Sequence, residues 1–304
     1  MKKLLICCSL FFIVSSYSFG QKNSDTKRDT TKGFDFFVNP GIYVGNKKNA
    51  NYYRGYSSSA EVDYTNPNPN IFYILRNEHF RRDIRERIKN NHRGVVDDES
   101  APWLDDISYM RYTANFSFGI GARYRFSKNL TIGVVVTQAR MTAQGTAYLG
   151  IKIMETNSDN RLPYPLVGKE RRTAFELTAN YLFPTQGIVS PFLEGGLHVN
   201  NTKVVSADLI VEEHPFSMIN PYGQEYDPFM PQTKLDRKLG GVGYGFSAAL
   251  GLRISFTKWA ALEPAAQFRL EKVNLEGYSN ITPNYLFMIR LVVGDRIFAK
   301  TSGE

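Results

Sequence analysis

Cysteine is confined to two adjacent positions, Cys7 and Cys8, in a chain of 304 residues. Once the first residues are removed, no thiol remains. That excludes a disulfide scaffold, a thiolate metal site and a cysteine nucleophile. Long apolar runs are also lacking. After residue 14 no segment approaches the roughly 20 residues that a membrane helix needs, and mean hydropathy is slightly negative. Histidine is scarce, and His79, His92 and His214 do not stand at metal-ligand spacing. No cofactor or metal site is expected.

What is present begins with an export signal. Lys2 and Lys3 precede an apolar run over 4–14 and the small-residue site Ser18-Phe19-Gly20. Residues 1–20 therefore read as a signal peptide, with maturation at Gln21. Residues 21–33 are polar and aperiodic and read as a flexible periplasmic leader. The net charge of +8 includes the two signal lysines. An exported chain is a poor partner for nucleic acid, and acidic lipid phosphates suit it better.

From residue 34 onward the chain alternates with the period of two that half-buried strands require. In 112–126, Tyr112, Ala114, Phe116, Phe118, Ile120, Ala122, Tyr124 and Phe126 share one face, and Gly, Ser, Asn, Thr and Arg share the other. The segment 242–256 repeats this pattern. Further strands are expected at 34–46, 130–142, 172–183, 190–200, 260–271 and 283–294. A bulge at Val134-Val135-Val136 is expected to turn Gln138 and Arg140 inward. Pro191 and Pro264 should break their ladders locally.

Connections alternate between tight and long. Residues 127–129, 184–189 and 257–259 are short, whereas 47–111, 143–171, 201–240 and 272–282 are longer. This is the signature of an all-β, eight-stranded antiparallel up-and-down transmembrane barrel over 34–298, with a tail at 299–304. It places both termini in the periplasm and the long loops outside the cell. A soluble lipocalin-like barrel also alternates, but it needs a charged exterior. Here the polar face is small and sparsely charged. Phe126, Tyr181, Phe183, Phe256, Trp259 and Tyr285 near strand ends suit an interfacial belt.

The charged inward positions are Arg123, Arg125, Glu176, Glu194, Arg253, Glu263, Arg269, Glu271 and Arg290. In so narrow a barrel these are expected to pair into a salt-bridge core that plugs the lumen and leaves little room for a pore. His198 shares the face of Glu194, which would suit a general base in a surface hydrolase or lipid-modifying enzyme, but no third catalytic group is identifiable.

The first long loop contains a helical stretch, 70–91, capped by Asn70. Phe72, Leu75, Phe80, Ile84 and Ile88 lie near one face, and Arg76, Arg81, Arg82, Arg85, Arg87 and Lys89 make the rest basic. Such a helix either rests on an anionic lipid surface or a partner, or folds back over the barrel mouth. In 201–240, Phe216, Tyr222, Tyr226 and Phe229 among prolines form a candidate contact surface. The run 157–160, Asn-Ser-Asp-Asn, reads as a turn rather than a calcium loop.

The strand-and-turn pairs GIGARYRFSKNLTIGVVV and GFSAALGLRISFTKWAALEPAAQFRL, with the closing NYLFMIRLVV, resemble the PorT-like outer-membrane barrel domain family over the whole mature chain. The architecture also resembles the barrel half of OmpA without its peptidoglycan-binding domain. The PorT-like resemblance implies a non-enzymatic envelope protein, with some members serving protein secretion and gliding. It carries no site residues. The expectation is an accessory or structural subunit of an outer-membrane complex, in contact with lipid and with another outer-membrane protein.

Overall fold

A computed structural model describes residues 32–55, 69–95, 100–153, 159–219, 239–257, 259–275 and 280–294. The signal, most of the leader, the tail, and Tyr222, Tyr226 and Phe229 lie outside them. Eight antiparallel strands close into a ring. The first is split at Pro40 into β1 (Gly33–Val38) and β2 (Gly41–Val44). β5 (Asn115–Arg125), β6 (Leu130–Lys152), β7 (Asp159–Leu182) and β8 (Val189–Val211) follow. β10 (Gly240–Ser255), β11 (Ala260–Lys272) and β12 (Ile281–Gly294) complete it. Closure is direct, since β1 pairs with β12 on one side and β5 on the other.

Proline shapes the ring without changing its register. β1 and β2 keep one register against β5 across Pro40. The β10–β11 ladder resumes in register beyond Pro264, whose missing N–H removes only a local bond.

The outer face is apolar. Phe116, Leu197, Leu250 and Phe256 are each 62–68% exposed, and the patch they help form is far too large for a soluble monomer. This is a transmembrane barrel. The aromatic residues Tyr124, Phe126, Tyr181 and Phe183 pair edge-on at the tight-turn end.

Strand length departs from the sequence expectation. Residues 143–152, 159–171 and 201–211 are not loops, because β6, β7 and β8 continue well beyond the apolar belt. The binary pattern inverts along them. Within the belt of β7, Phe175, Leu177 and Tyr181 face out while Glu176, Thr178 and Asn180 face in. Beyond it, Lys169 and Arg161 face out while Leu166 and Tyr164 face in. A strand reading keyed to membrane thickness stops at this inversion. Gln138 and Arg140 also differ from expectation. β6 holds unbroken register with both neighbours, so the valine run has no bulge and both side chains point outward.

The inward apolar face of the extended sheet is covered by the first long connection. It contains α1 (Lys47–Ala50), a 3-10 turn (Asn51–Arg54), α2 (Ile71–Arg76) and α3 (Glu78–Asn91). The expected single helix is broken at Asn77, whose side chain accepts from His79 N at 3.0 Å and so caps α3. Asn70 accepts from Phe72 N at 3.0 Å. Short strands β3 (Trp103–Ile107) and β4 (Arg111–Tyr112) pair with β6, and β9 (His214–Ser217) pairs with β8.

Ile71, Ile74, Ile84 and Ile88 pack with Met110, Leu149, Leu166 and Leu209 into one buried cluster. Full burial of each such side chain contributes ~1.5–3 kcal/mol. The helical insertion is therefore a lid over the barrel mouth, not a helix lying free on a surface.

Candidate functional site

The lumen is built by alternation: once Phe34 and Phe36 face lipid, Asp35 must face in. Near the tight-turn end Arg123 makes a two-pronged bond to Glu263, with Nη1 3.0 Å from Oε2. Its Nε donates to Asp35 at 3.3 Å. Arg125 reaches Asp35 at 3.1 Å, and Arg253 reaches both Asp35 and Glu263. Phe37 lies between the guanidinium groups of Arg123 and Arg290, 5.6 and 5.3 Å from its ring centre.

At the same end, Arg290, directly opposite Glu263 on the next strand, pairs with Glu194, and Asn180 donates to the same carboxylate at 3.3 Å. Glu176 accepts from Arg269 at 2.9 Å, from Gln267 at 2.7 Å and from the Ser247 hydroxyl.

Under the lid, Arg172 links Glu170 at 2.6 Å to Glu271 at 3.4 Å. Tyr43 donates to Glu271, and Asn284 does so at 3.0 Å. Tyr53 from the 3-10 turn donates to Glu170 at 2.5 Å. This last bond joins lid to lumen. The lid also bonds to the barrel rim through Asn49, which donates to Thr282 at 2.9 Å.

The structure thus brings all nine sequence-named lumen charges into ion pairs. It adds Asp35, Glu170 and Arg172, which the sequence reading passed over. Asp35 was legible from the phase of its strand. Glu170 lies beyond the apolar belt and Arg172 at its edge, where alternation of lipid-facing residues no longer marks the inward side.

His198 is not beside Glu194. Its Nε2 lies 3.0 Å from Glu271, and its side chain is 0% exposed. Residues four apart on one strand face stand about 13 Å apart, so a shared face does not make a dyad. Glu271 orients the ring through Nε2, but the buried Nδ1, the nitrogen left to act as a base, has no hydrogen-bond partner among the described residues, so no nucleophile stands beside it. No group of three or more metal-ligating side chains occurs among the described residues.

The loop candidates separate. Arg82 is exposed on α3, whereas Arg81 and Arg85 are half-buried. Phe216 is only 5% exposed and packs in the lid cluster, so it cannot offer a contact face. β9 places it on the inward side of the extended sheet, a position that an aromatic-and-proline composition cannot reveal.

A second polar centre joins the lid to the β8–β9 turn. Glu212 accepts from Tyr164 at 2.8 Å, from Asn91 at 2.6 Å and lies 3.1 Å from His92. Burial opposes ionisation of Glu212, but these bonds outweigh it and hold the carboxyl below the usual carboxylate range. Burial, followed by the bond to Glu212, pushes the Tyr164 phenol up.

No protein-family model matches the chain, and no curated protein matches it. Among solved structures, Neisserial surface protein A is similar at 14% identity and TM-score 0.41, covering 86% of this chain and 98% of that one. The outer membrane protein OprG from Pseudomonas aeruginosa is similar at 14% identity and TM-score 0.32, covering 86% and 94%. The eight-stranded ring rests on the strand pairings themselves.

Proposed function

We propose that the protein is a non-enzymatic outer-membrane barrel serving as a structural or accessory subunit of a larger outer-membrane assembly. The observation that carries this reading is the filled barrel. Buried ion pairs occupy its length, and a packed lid covers its mouth. Ion pairs packed along the lumen argue against an open aqueous path, and the burial of His198 argues against a substrate reaching it as a base.

The elaborated end, with long connections, faces outside in this reading, and both termini lie in the periplasm. Partner contact falls to that end, through Arg82 and the segment bearing Tyr222, Tyr226 and Phe229. The resemblance to PorT-like domains makes secretion or assembly the process to test first. Chemical crosslinking in intact cells followed by gentle solubilisation is the test. A stoichiometric protein partner is expected, and recovery of the barrel alone overturns the reading.

A further inference from the structure

The inversion of polarity along β6, β7 and β8 leaves a row of cations on the outer surface. Arg140 stands directly opposite Arg171 on the next strand, and Arg171 stands directly opposite Lys203 on the one after. All three are exposed and point outward. Directly opposed side chains on antiparallel strands have Cβ atoms about 5 Å apart, where like charges repel. Among the described residues none of the three makes an ion pair. Lys169, two residues along β7, adds a fourth positive charge.

The position of the row is as telling as its charge. The same registers align Leu130, Tyr181 and Leu193 at the tight-turn side of the belt. Ten residues of each strand separate the two rows. At about 3.3 Å per residue and a strand tilt near 40°, that corresponds to about 25 Å, the height of an apolar band. The cations therefore sit where headgroups begin. Directly below them, Val136, Phe175 and Val199 offer an apolar surface to acyl chains.

We infer that Arg140, Arg171 and Lys203 form a binding site for the phosphate group of an anionic membrane lipid, whose acyl chains lie along β6, β7 and β8. A phosphate accepts charge-assisted bonds from several donors at once and removes the repulsion among them. The basic face of α3 does not supply this site, because α3 belongs to the lid. The inference concerns the outside of the barrel and stands apart from the accessory role.

The test is native mass spectrometry of the full protein released from nanodiscs that contain phosphatidylglycerol or only phosphatidylcholine. Retained phosphatidylglycerol is expected on the wild type. It should be lost from R140Q/R171Q/K203Q with about a hundredfold drop in affinity, equivalent to ~1 kcal/mol per cation. The control K47Q/K48Q, exposed on α1 of the lid, should keep it. Heat-dependent electrophoretic mobility establishes that each variant is folded. Equal retention by the triple variant, equal retention of phosphatidylcholine, or an acidic polypeptide held at this face in place of lipid each overturns the inference.

Discussion

Arg290 on β12 and Glu194 on β8 meet across the barrel as a two-pronged pair, Nη1 2.6 Å from Oε2, although two strands lie between them in the ring. Their side chains are 2% and 3% exposed. Contacts of this kind tie non-neighbouring strands together through the lumen, which backbone ladders cannot do.

Loss of one partner leaves a buried charge uncompensated. R290M is expected to destabilise the barrel by about 3–5 kcal/mol, and the double variant R290M/E194M to recover most of that loss. Urea unfolding of the detergent-solubilised protein measures both. Losses that simply add would mean that the two residues do not act as a pair.

The lid depends on one close approach. The Tyr53 ring lies against Gly168, where a β-carbon would come within 2.1 Å of it. G168V is expected to displace the 3-10 turn and break the bond from Tyr53 to Glu170, while the belt strands stay paired. Limited proteolysis should then cut within 47–95 faster than in wild type, with the heat-modifiable mobility retained. An unchanged cleavage rate would show that the lid is held elsewhere.

The β8–β9 turn stores backbone strain. Glu212 and Glu213 have φ of 48° and 66°, a left-handed conformation that costs an L-residue about 1–2 kcal/mol. Glu212 is held there by Tyr164, Asn91 and His92, whereas Glu213 is exposed. E213G is expected to stabilise the hairpin by about 1 kcal/mol, read as slower hydrogen exchange of β9. Faster exchange would contradict it.

Acid should loosen the same corner. Because the folded state lowers the Glu212 carboxyl below the ordinary carboxylate range, its stabilising effect is complete above that range. It is lost as pH falls through the folded pKa. Protection factors at the C-terminal turn of α3, which remove the intrinsic pH dependence of amide exchange, should fall in wild type as pH is lowered from 6 to about 3. E212Q should show the lower protection already at pH 6 and little further change in it. A wild-type segment indifferent to pH would refute the linkage.

H198A tests the enzymatic alternative. Glu271 keeps Tyr43, Arg172 and Asn284 when His198 is gone, so the expected loss is about 1–3 kcal/mol of stability. Partner copurification should be unchanged. A selective loss of activity on lipid or peptide substrates, with stability intact, would restore the hydrolase reading.

Much of the barrel was legible because alternation is local. Phe116, Phe118 and Ile120 announce a lipid face whatever they pack against, and the tight connection at 127–129 announces a hairpin. The lid was less legible. Leu149, Leu166 and Leu209 keep the period of two, yet their apolar side faces in rather than out, and phase alone does not say which side is which. Asn77 interrupts a helical pattern that its neighbours support.

Strand periodicity, the alternation of connector lengths, the sign and inward direction of most lumen charges, and the helical character of the first long connection can all be read along the chain alone. Each follows from the covalent order of side chains along a pleated or helical backbone. Which charges meet, the pairing of His198 with Glu271 rather than Glu194, and the closing of the barrel mouth by the insertion come from the folded ring. It alone aligned Arg140, Arg171 and Lys203. Those relationships depend on strand register around a closed ring, which joins residues far apart in the chain.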